Sequence, residues 1–190
     1  MEKYFFVCHG KTEKLFIEYI ASTYRIPLEL LSKKQGRVSI QINMLKDYIK
    51  KERNKGALIN KKLNDFSKIY VLILMDLDEL NTMPDGSDLL DLKDPYISGE
   101  LLNSDEDLTL NSKIIYLTFY NDLNMEDVLH KTTLSVPESK TDIQKVFPLS
   151  GIEMKAEGIE QVKKEFAQLD DKITNVDKLI EFLQSRKSEF

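Results

Sequence analysis

Apolar residues are grouped in four short segments of the chain that have the character of β-strands. Residues 4–8, 28–31, 69–76 and 114–120 are rich in aromatic and aliphatic side chains and are followed by polar residues or glycine. Runs of this length predict buried strands. The third segment is a continuous apolar run ending in Asp76, which is typical of a central parallel strand covered on both faces.

Between and after these segments, apolar residues recur at helical spacing. A helix that begins at Lys11 or Thr12 carries apolar side chains within residues 15–20. Later helices are predicted over residues 124–131, 152–169 and 176–183. Thr174 and Asp177 resemble a capping box at the start of the last helix, which indicates where that helix begins.

Residues 38–52 carry two overlapping patterns. Apolar residues alternate over residues 38–44, as they do in a strand, and recur at helical spacing over residues 44–49. Because the second pattern runs longer, we predict a helix from about Ser39.

Strands that alternate with helices predict an α/β protein. We expect a Rossmann-like, mostly parallel four-stranded sheet flanked by helices. Residues 79–112, rich in Asp, Asn, Ser, Gly and Pro, are predicted to form a long insertion with short helical turns. We place residues 1–135 in one domain and residues 136–190 in a helical C-terminal extension packed on the same domain.

The composition excludes several classes of protein. The chain has 190 residues, of which 42% are apolar and 31% are charged, as in an ordinary globular domain. Its one cysteine, Cys8, cannot form an internal disulfide, which favours a reducing compartment. No apolar run approaches the ~20 residues of a membrane span, and no signal-peptide core is present. We therefore expect a cytoplasmic protein with no membrane association.

Charge is divided unevenly along the chain. Residues 1–68 carry a net charge of +8 and residues 69–190 a net charge of −13. The basic residues between positions 33 and 62 are Lys33, Lys34, Arg37, Lys46, Lys50, Lys51, Arg53, Lys55, Lys61 and Lys62. One interpretation is a polyanion partner, such as nucleic acid, beside a site that holds a cation. The other is two solvated surfaces of opposite sign.

Asp76 and Asp78 are the strongest chemical signal. In an extended segment, residues i and i+2 point to the same side, where two carboxylates repel each other unless a cation neutralises them. Oxygen ligands of this kind suit Mg²⁺ or Mn²⁺. The structural alternative is that one Asp caps the next helix and the other faces water. We favour the metal site because the preceding run is so apolar.

Residues 9–13, His-Gly-Lys-Thr-Glu, form the predicted turn between the first strand and the first helix. Gly-Lys-Thr resembles the end of a phosphate-binding loop, but Phe5 stands where that motif requires a glycine, so an NTP-binding loop is excluded. Gly10 allows a sharp turn, which would bring His9 and Glu13 beside the two aspartates. The alternatives are a first-turn acid for Glu13 and a satisfied polar residue for His9.

A third polar cluster, residues 121–127, follows the fourth strand. Asn124 has the character of an N-cap, and Glu126 and Asp127 fill an acidic first turn. We favour this structural interpretation over direct catalysis and keep Asn121 and Glu126 as secondary candidates for the site.

Together these motifs resemble a Toprim domain, especially as it occurs in OLD-family and RloB-like nucleases. In that family one strand ends in Glu-Gly with a further acid four residues after the Glu, and a second strand ends in Asp-x-Asp. Residues 7–13 are similar to the first motif, with His9 in place of the first glutamate, and residues 73–78 are similar to the second. Asn121 and Glu126 are similar to a later Asn and acidic helix of RloB-like proteins.

The resemblance, which covers about residues 3–130, implies a Toprim-like fold and a metal-dependent phosphodiester nuclease. The substrate would be DNA or RNA, in defence against phage or other mobile elements, with a protein partner or a second copy of the chain assisting. The implied catalytic residues are His9, Glu13, Asp76 and Asp78, which would also hold Mg²⁺ or Mn²⁺. Lys11 and Arg37 would contact a substrate phosphate. Histidine in place of the first glutamate can move protons or bind Mn²⁺, but it supplies no negative charge for Mg²⁺.

Two other functions stay open. The first is a Toprim-like module that has lost catalysis and binds nucleic acid or a partner protein, an interpretation that His9 motivates. The second is a HAD-like phosphatase, because a strand ending in Asp-x-Asp also describes that family. Leu80 stands where that family has Thr or Val, and the pair comes late in the chain, so we rank the phosphatase third.

Overall fold

A computed structural model describes residues 2–56, 66–110, 112–134, 138 and 155–186. Four strands form a single parallel sheet in the order β2-β1-β3-β4. These strands are β1 (Glu2–Cys8), β2 (Leu28–Leu31), β3 (Lys68–Asp76) and β4 (Ile114–Asn121). The predicted α/β class, with a four-stranded sheet flanked by helices, is confirmed.

Helices cover both faces of this sheet. The described helices are α1 (Lys11–Tyr24), α2 (Leu45–Asn54), α3 (Lys93–Ile97), α4 (Glu100–Asn103), α5 (Glu106–Thr109), α6 (Met125–His130), α7 (Lys155–Phe166) and α8 (Val176–Ser185). Their order along the chain agrees with the alternation of strands and helices predicted from the sequence.

The helix predicted from Ser39 is wrong at its start. Residues 42–44 form one 3₁₀ turn, and α2 begins only at Leu45. Ile40 and Ile42 are both buried in the same hydrophobic cluster. Two residues spaced i and i+2 share a side only in an extended chain, so their burial holds the segment before Ile42 out of a helix.

Alternation of side chains along the central strands divides the core into two clusters. Tyr4, Phe6 and Cys8 of β1 pack on one face with α1, α6, α7 and α8. Phe5 and Val7 point to the other face, toward α2 and the insertion. Because both faces of β1 and β3 are covered, their sequences are continuously apolar.

The insertion over residues 79–112 forms part of the second layer of the core. Tyr96 is fully buried and its hydroxyl donates to the backbone carbonyls of Phe119, at 2.7 Å, and Ile73, at 3.2 Å. The side chain of Asn103 brackets Tyr116 of β4, accepting from its N–H at 3.0 Å and donating to its carbonyl at 2.9 Å. These bonds fix the short helical turns predicted for this segment against β3 and β4.

The C-terminal helices α7 and α8 pack on α1, and α8 also contacts β4. Phe166 and Leu183 are buried in the same cluster as Tyr4 and Phe16. The predicted boundary between residues 135 and 136, and the predicted helix start at Ile152, lie outside the described residues. None of the helices in the described parts of the chain has the length and apolar character of a membrane span.

Candidate functional site

The Glu13 side chain folds back toward the turn between β1 and α1. Gly10 is the N-cap of α1, and Glu13 is the third residue of that helix. The Glu13 carboxyl accepts hydrogen bonds from the N–H groups of Gly10 and of Glu13 itself. A Cβ atom at position 10 would lie 2.8 Å from Glu13 Oε2, so glycine leaves the space that this carboxyl occupies. Glu13 therefore has the helix-capping role that is expected for an acid in the first turn of a helix.

Glu13 also touches the Asp76 carboxyl, which the capping role alone does not explain. Asp76 is the last residue of β3, and the two side chains lie within hydrogen-bond reach of each other. Burial, followed by the Glu13 charge, raises the pKa of Asp76 to about 9, and burial likewise raises the pKa of Glu13. Two N–H donors stabilise the charged form of Glu13, so we place the shared proton on Asp76.

Asn121 and the start of α6 hold Asp76 from the other side. Asn121 is the register partner of Asp76 on β4, and its Nδ2 donates to Asp76 Oδ1 at 2.9 Å. The N–H of Met125 donates to Asp76 Oδ2 at 3.2 Å. Each Asp76 oxygen therefore accepts one hydrogen bond, and the carboxyl has a defined orientation.

Thr174 fixes the orientation of the Asn121 amide. The Thr174 hydroxyl accepts from the N–H of Val176 at 3.2 Å and donates to Asn121 Oδ1 at 2.8 Å. Both Asn121 and Thr174 are almost fully buried. Since Oδ1 is an acceptor here, Nδ2 must face Asp76.

The capping box predicted at Thr174 and Asp177 is wrong. The N-cap of α8 is Asn175, whose Oδ1 accepts from the N–H of Tyr120 instead of from its own helix. Thr174 forms an isolated antiparallel bridge with Asn121, so this segment meets the end of β4. The Thr174 hydroxyl donates to Asn121 and accepts from the N–H of Val176, whereas the Asp177 carboxyl accepts from its own N–H and that of Lys178, so the reciprocal bonds of a capping box do not form.

His9 is buried beside this cluster, and its Nδ1 accepts from the N–H of Asp76 at 3.3 Å. Because Nδ1 accepts here, a hydrogen bond that His9 donates would come from Nε2. Histidines that bind metals usually donate through the second ring nitrogen instead of accepting. In this orientation His9 accepts a hydrogen bond from the backbone, and its role as a metal ligand stays a prediction.

Glu126 joins the site through α1. It is buried in the first turn of α6 and accepts from the Thr12 hydroxyl at 2.8 Å. Its charge contributes to the raised pKa of Glu13. The predicted N-cap is confirmed, because Asn124 Oδ1 accepts from the N–H of Asp127 at 2.9 Å. The α6 turn is thus a capped helix start that also brings Glu126 to the site.

Asp78 stands apart from the carboxyl pair. It begins a 3₁₀ turn, Asp78–Thr82, and Leu77 before it has ψ near 10°. The extended geometry predicted for these three residues is therefore wrong, because the chain turns as soon as β3 ends. The half-buried Asp78 side chain forms no hydrogen bond with another described residue. Its role as a ligand stays a prediction.

Lys11 and Arg37 are exposed near the turn that carries Glu13. Lys11 is the first residue of α1, and Arg37 follows a 3₁₀ turn over Lys33–Gly36. Neither side chain is paired with an acidic residue in the part of the chain that the structure describes. Both cations are therefore available to an anion from solution.

The site meets one requirement of a hard cation such as Mg²⁺, because it supplies oxygen ligands. Glu13 and Asp76 supply buried carboxylate oxygens, and neither forms an ion pair with a described Lys or Arg. Mg²⁺ in proteins is commonly held by one or two carboxylates together with water and substrate phosphate. Within the described residues, no three side chains of His, Cys, Asp or Glu form a group that could hold a metal ion. The described part of the chain thus offers a carboxylate pair as the protein ligands of a cation.

Comparison of this chain with known proteins found no match. No family model matches this chain, and neither a curated protein nor a solved structure is similar to it.

Proposed function

We propose that this protein is a divalent-metal-dependent phosphodiester nuclease whose centre is the Glu13–Asp76 carboxyl pair. The observation that carries the proposal is the contact of two buried carboxyl groups to which no described Lys or Arg is paired. Two such groups ionise together only when a cation neutralises them. They lie at the carboxyl ends of parallel strands, the edge at which open α/β sheets bind ligands.

Glu13 and Asp76 would be the carboxylate ligands of the cation. A bound Mg²⁺ or Mn²⁺ would supply polarisation of a phosphoryl oxygen and neutralise charge that develops there. The protein keeps Asp76 oriented through Asn121 Nδ2 and the Met125 N–H, so its oxygens need no rearrangement to bind. Asp78, which begins the 3₁₀ turn after Leu77, would be a further candidate ligand.

The remaining residues would act on the phosphodiester. His9, with Nδ1 occupied by the Asp76 N–H, would donate a hydrogen bond from Nε2 to a phosphate or leaving-group oxygen. Lys11 and Arg37 would bind non-bridging phosphate oxygens, which suits their exposure beside the turn. A cytoplasmic location and a role against phage or mobile elements belong to the same proposal and rest on the single free thiol and on the family resemblance.

The test is a cleavage assay on three substrates. Purified protein is incubated with supercoiled plasmid, single-stranded DNA and bulk tRNA, each with Mg²⁺, Mn²⁺ or EDTA. We expect cleavage only with metal, and a loss of roughly 100-fold or more in Asp76→Asn and Glu13→Gln. Asp91→Asn, an exposed carboxylate on the insertion, is the matched control and should cut at the wild-type rate.

Each variant is first checked for a cooperative thermal transition, so that lost cleavage is not lost folding. Cleavage that persists in EDTA, or in a folded Asp76→Asn preparation, would overturn the proposal. Product from only one of the three substrates would name the substrate class.

A second candidate function is a binding module without catalysis. The observation that favours it is His9, which stands where the resembled family has a glutamate and supplies no negative charge for a cation. This candidate predicts nucleic-acid binding that weakens with salt and ignores metal. The phosphatase stays third, because Leu80 stands where that family has Thr or Val and the Asp-x-Asp pair comes late in the chain. Turnover of p-nitrophenyl phosphate would restore it.

A further inference from the structure

A groove of about 540 Å³ lies between the 3₁₀ turn Lys33–Gly36 and helix α2. Its lining residues are Ser32, Lys33, Lys34, Val38, Met44, Asp47, Tyr48, Lys51, Glu52 and Lys55. This volume is within the roughly 300–1,000 Å³ of small-molecule sites, large enough for one nucleotide unit.

Positive charge predominates in the groove. Four lysines line it against two acids, and one of those acids, Glu52, is already paired with Lys55 at 2.6 Å. Other cations of the basic stretch have structural partners instead. Lys50 pairs with Asp105 at 3.2 Å, and Arg53 donates to a backbone carbonyl of the insertion. The structure therefore separates the lysines of the groove from Lys50 and Arg53, which bind α2 to the insertion. Lys61 and Lys62 lie outside the described residues.

The same groove presents apolar surface to solvent. Val38 and Met44, 40% and 46% exposed, are the exposed large hydrophobic residues of the described chain, and both line it. Lys33 Nζ lies 3.9 Å from Met44 Sδ and 6.0 Å from the ring centre of Tyr48. Cations above an apolar floor form a surface for a ligand that is anionic at one end and flat and apolar at the other.

The groove adjoins the candidate catalytic turn. Gly36 has a φ of +84°, and a Cβ atom there would lie 3.2 Å from the carbonyl oxygen of Gly10 and 3.4 Å from Lys11 Cα. The wall that carries Lys33 and Lys34 is therefore in direct contact with the turn that carries Glu13.

We propose that this groove binds a single-stranded segment of nucleic acid, with one unpaired base against Val38 and Met44 and its flanking phosphates on Lys33, Lys34 and Lys51. A duplex keeps its bases stacked inside, so its phosphates would reach the lysines while the apolar floor stayed empty. The inference builds on the proposed nuclease function, since it assigns that activity a single-stranded substrate.

Binding is measured separately from cleavage. The full chain is titrated in EDTA against a fluorescein-labelled 12-residue single-stranded oligonucleotide and the corresponding duplex, by fluorescence anisotropy at several salt concentrations. We expect the single strand to bind more tightly. Lys33→Gln/Lys51→Gln should weaken its binding roughly tenfold and reduce the salt slope by about 1.4, the value for two lost phosphate contacts on a single strand.

Met44→Ser removes apolar surface without removing charge. We expect it to weaken single-strand binding about fivefold, with an unchanged salt slope and little effect on duplex binding. The matched control for the charge variant is Lys164→Gln/Lys172→Gln, two exposed lysines of the C-terminal region that should leave affinity nearly unchanged.

Several results would overturn the groove proposal. They are equal losses in the groove and control lysine pairs, duplex binding as tight as single-strand binding, an unaffected Met44→Ser, or displacement of the oligonucleotide by a polyglutamate peptide of equal charge. Asp76→Asn distinguishes this proposal from the nuclease: it should abolish cleavage and keep binding. If the wild type binds through the groove but does not cleave, the groove proposal is kept and the nuclease proposal is rejected. If the wild type cleaves and the groove variants cleave equally well, the nuclease proposal is kept and the groove proposal is rejected.

Discussion

Thr174 donates a hydrogen bond to Asn121 across 53 positions of the chain, at 2.8 Å, and both side chains are almost fully buried. The bond ties the segment before α8 to the end of β4. It also decides which end of the Asn121 amide faces Asp76. An aspartate of the candidate site is thus positioned by a residue nearly 100 places further along the chain.

Thr174→Val should test the strength of this tie. Valine keeps the shape and removes the hydroxyl, so Asn121 Oδ1 and the Val176 N–H lose a buried partner. We expect the free energy of unfolding to fall by about 1–3 kcal/mol in urea denaturation. Thr174→Ser keeps a hydroxyl and should retain most of the wild-type free energy of unfolding. Thr23→Val is the matched control, because the Thr23 hydroxyl bonds only a carbonyl of its own helix, and its cost should be under about 0.5 kcal/mol.

Asp76→Asn should change the pH dependence of stability. The pKa of Asp76 is raised to about 9 in the folded protein, so the folded state keeps a proton that the unfolded state loses above pH ~4. That contribution is fully present at low pH and is lost as the pH rises through 9. Measured in EDTA, the stability of Asp76→Asn relative to wild type should therefore be higher at pH 8.5 than at pH 5.

The comparison rests on this difference between two pH values, since an asparagine also leaves one hydrogen-bond donor of the Asp76 site unpaired at every pH. The stability of Asp91→Asn should equal that of the wild type at both pH values. Parallel pH curves for wild type and Asp76→Asn would contradict the shared proton.

Divalent cations should stabilise the folded protein in place of that proton. Binding requires Asp76 to ionise, so we expect Mg²⁺ or Mn²⁺ to raise Tm more at pH 8 than at pH 6. A cation about tenfold above its Kd should raise Tm by roughly 3–6 °C. The measurement is differential scanning fluorimetry. Glu13→Gln should abolish the effect, and an equal rise in that variant would place the cation elsewhere.

Two glycines on facing turns should respond differently to alanine. Gly10 has ordinary extended backbone angles, but a Cβ there meets the Glu13 carboxyl at 2.8 Å. We expect Gly10→Ala to reduce cleavage far more than stability. Gly36 has a left-handed φ and backbone 3.2 Å away, so Gly36→Ala should cost about 1–3 kcal/mol of stability. Similar stability losses in both variants, with cleavage reduced in proportion, would contradict this distinction.

The sequence predicted the framework of the fold because its information is local. An apolar run such as residues 69–76 can be satisfied only by burial on both faces, and polar residues at strand ends must collect at one edge of a parallel sheet. On that basis the sequence predicts Glu13 and Asp76 as site residues, with Asn121 and Glu126 as secondary candidates, and the structure brings the four into one buried cluster. The chemistry of that cluster follows from its residue types.

Only the tertiary structure decided which carboxylates meet. Asp76 contacts Glu13 and not Asp78, because the chain turns at Leu77 and the back-folded Glu13 side chain occupies the space left by Gly10. Thr174 belongs to the site although its local sequence predicts a helix cap, because its hydroxyl donates to Asn121 of β4 while it accepts from the N–H of Val176. The apolar pattern of a sequence determines which residues are buried, whereas the contacts among buried polar groups depend on how distant segments compete for the same donors and acceptors.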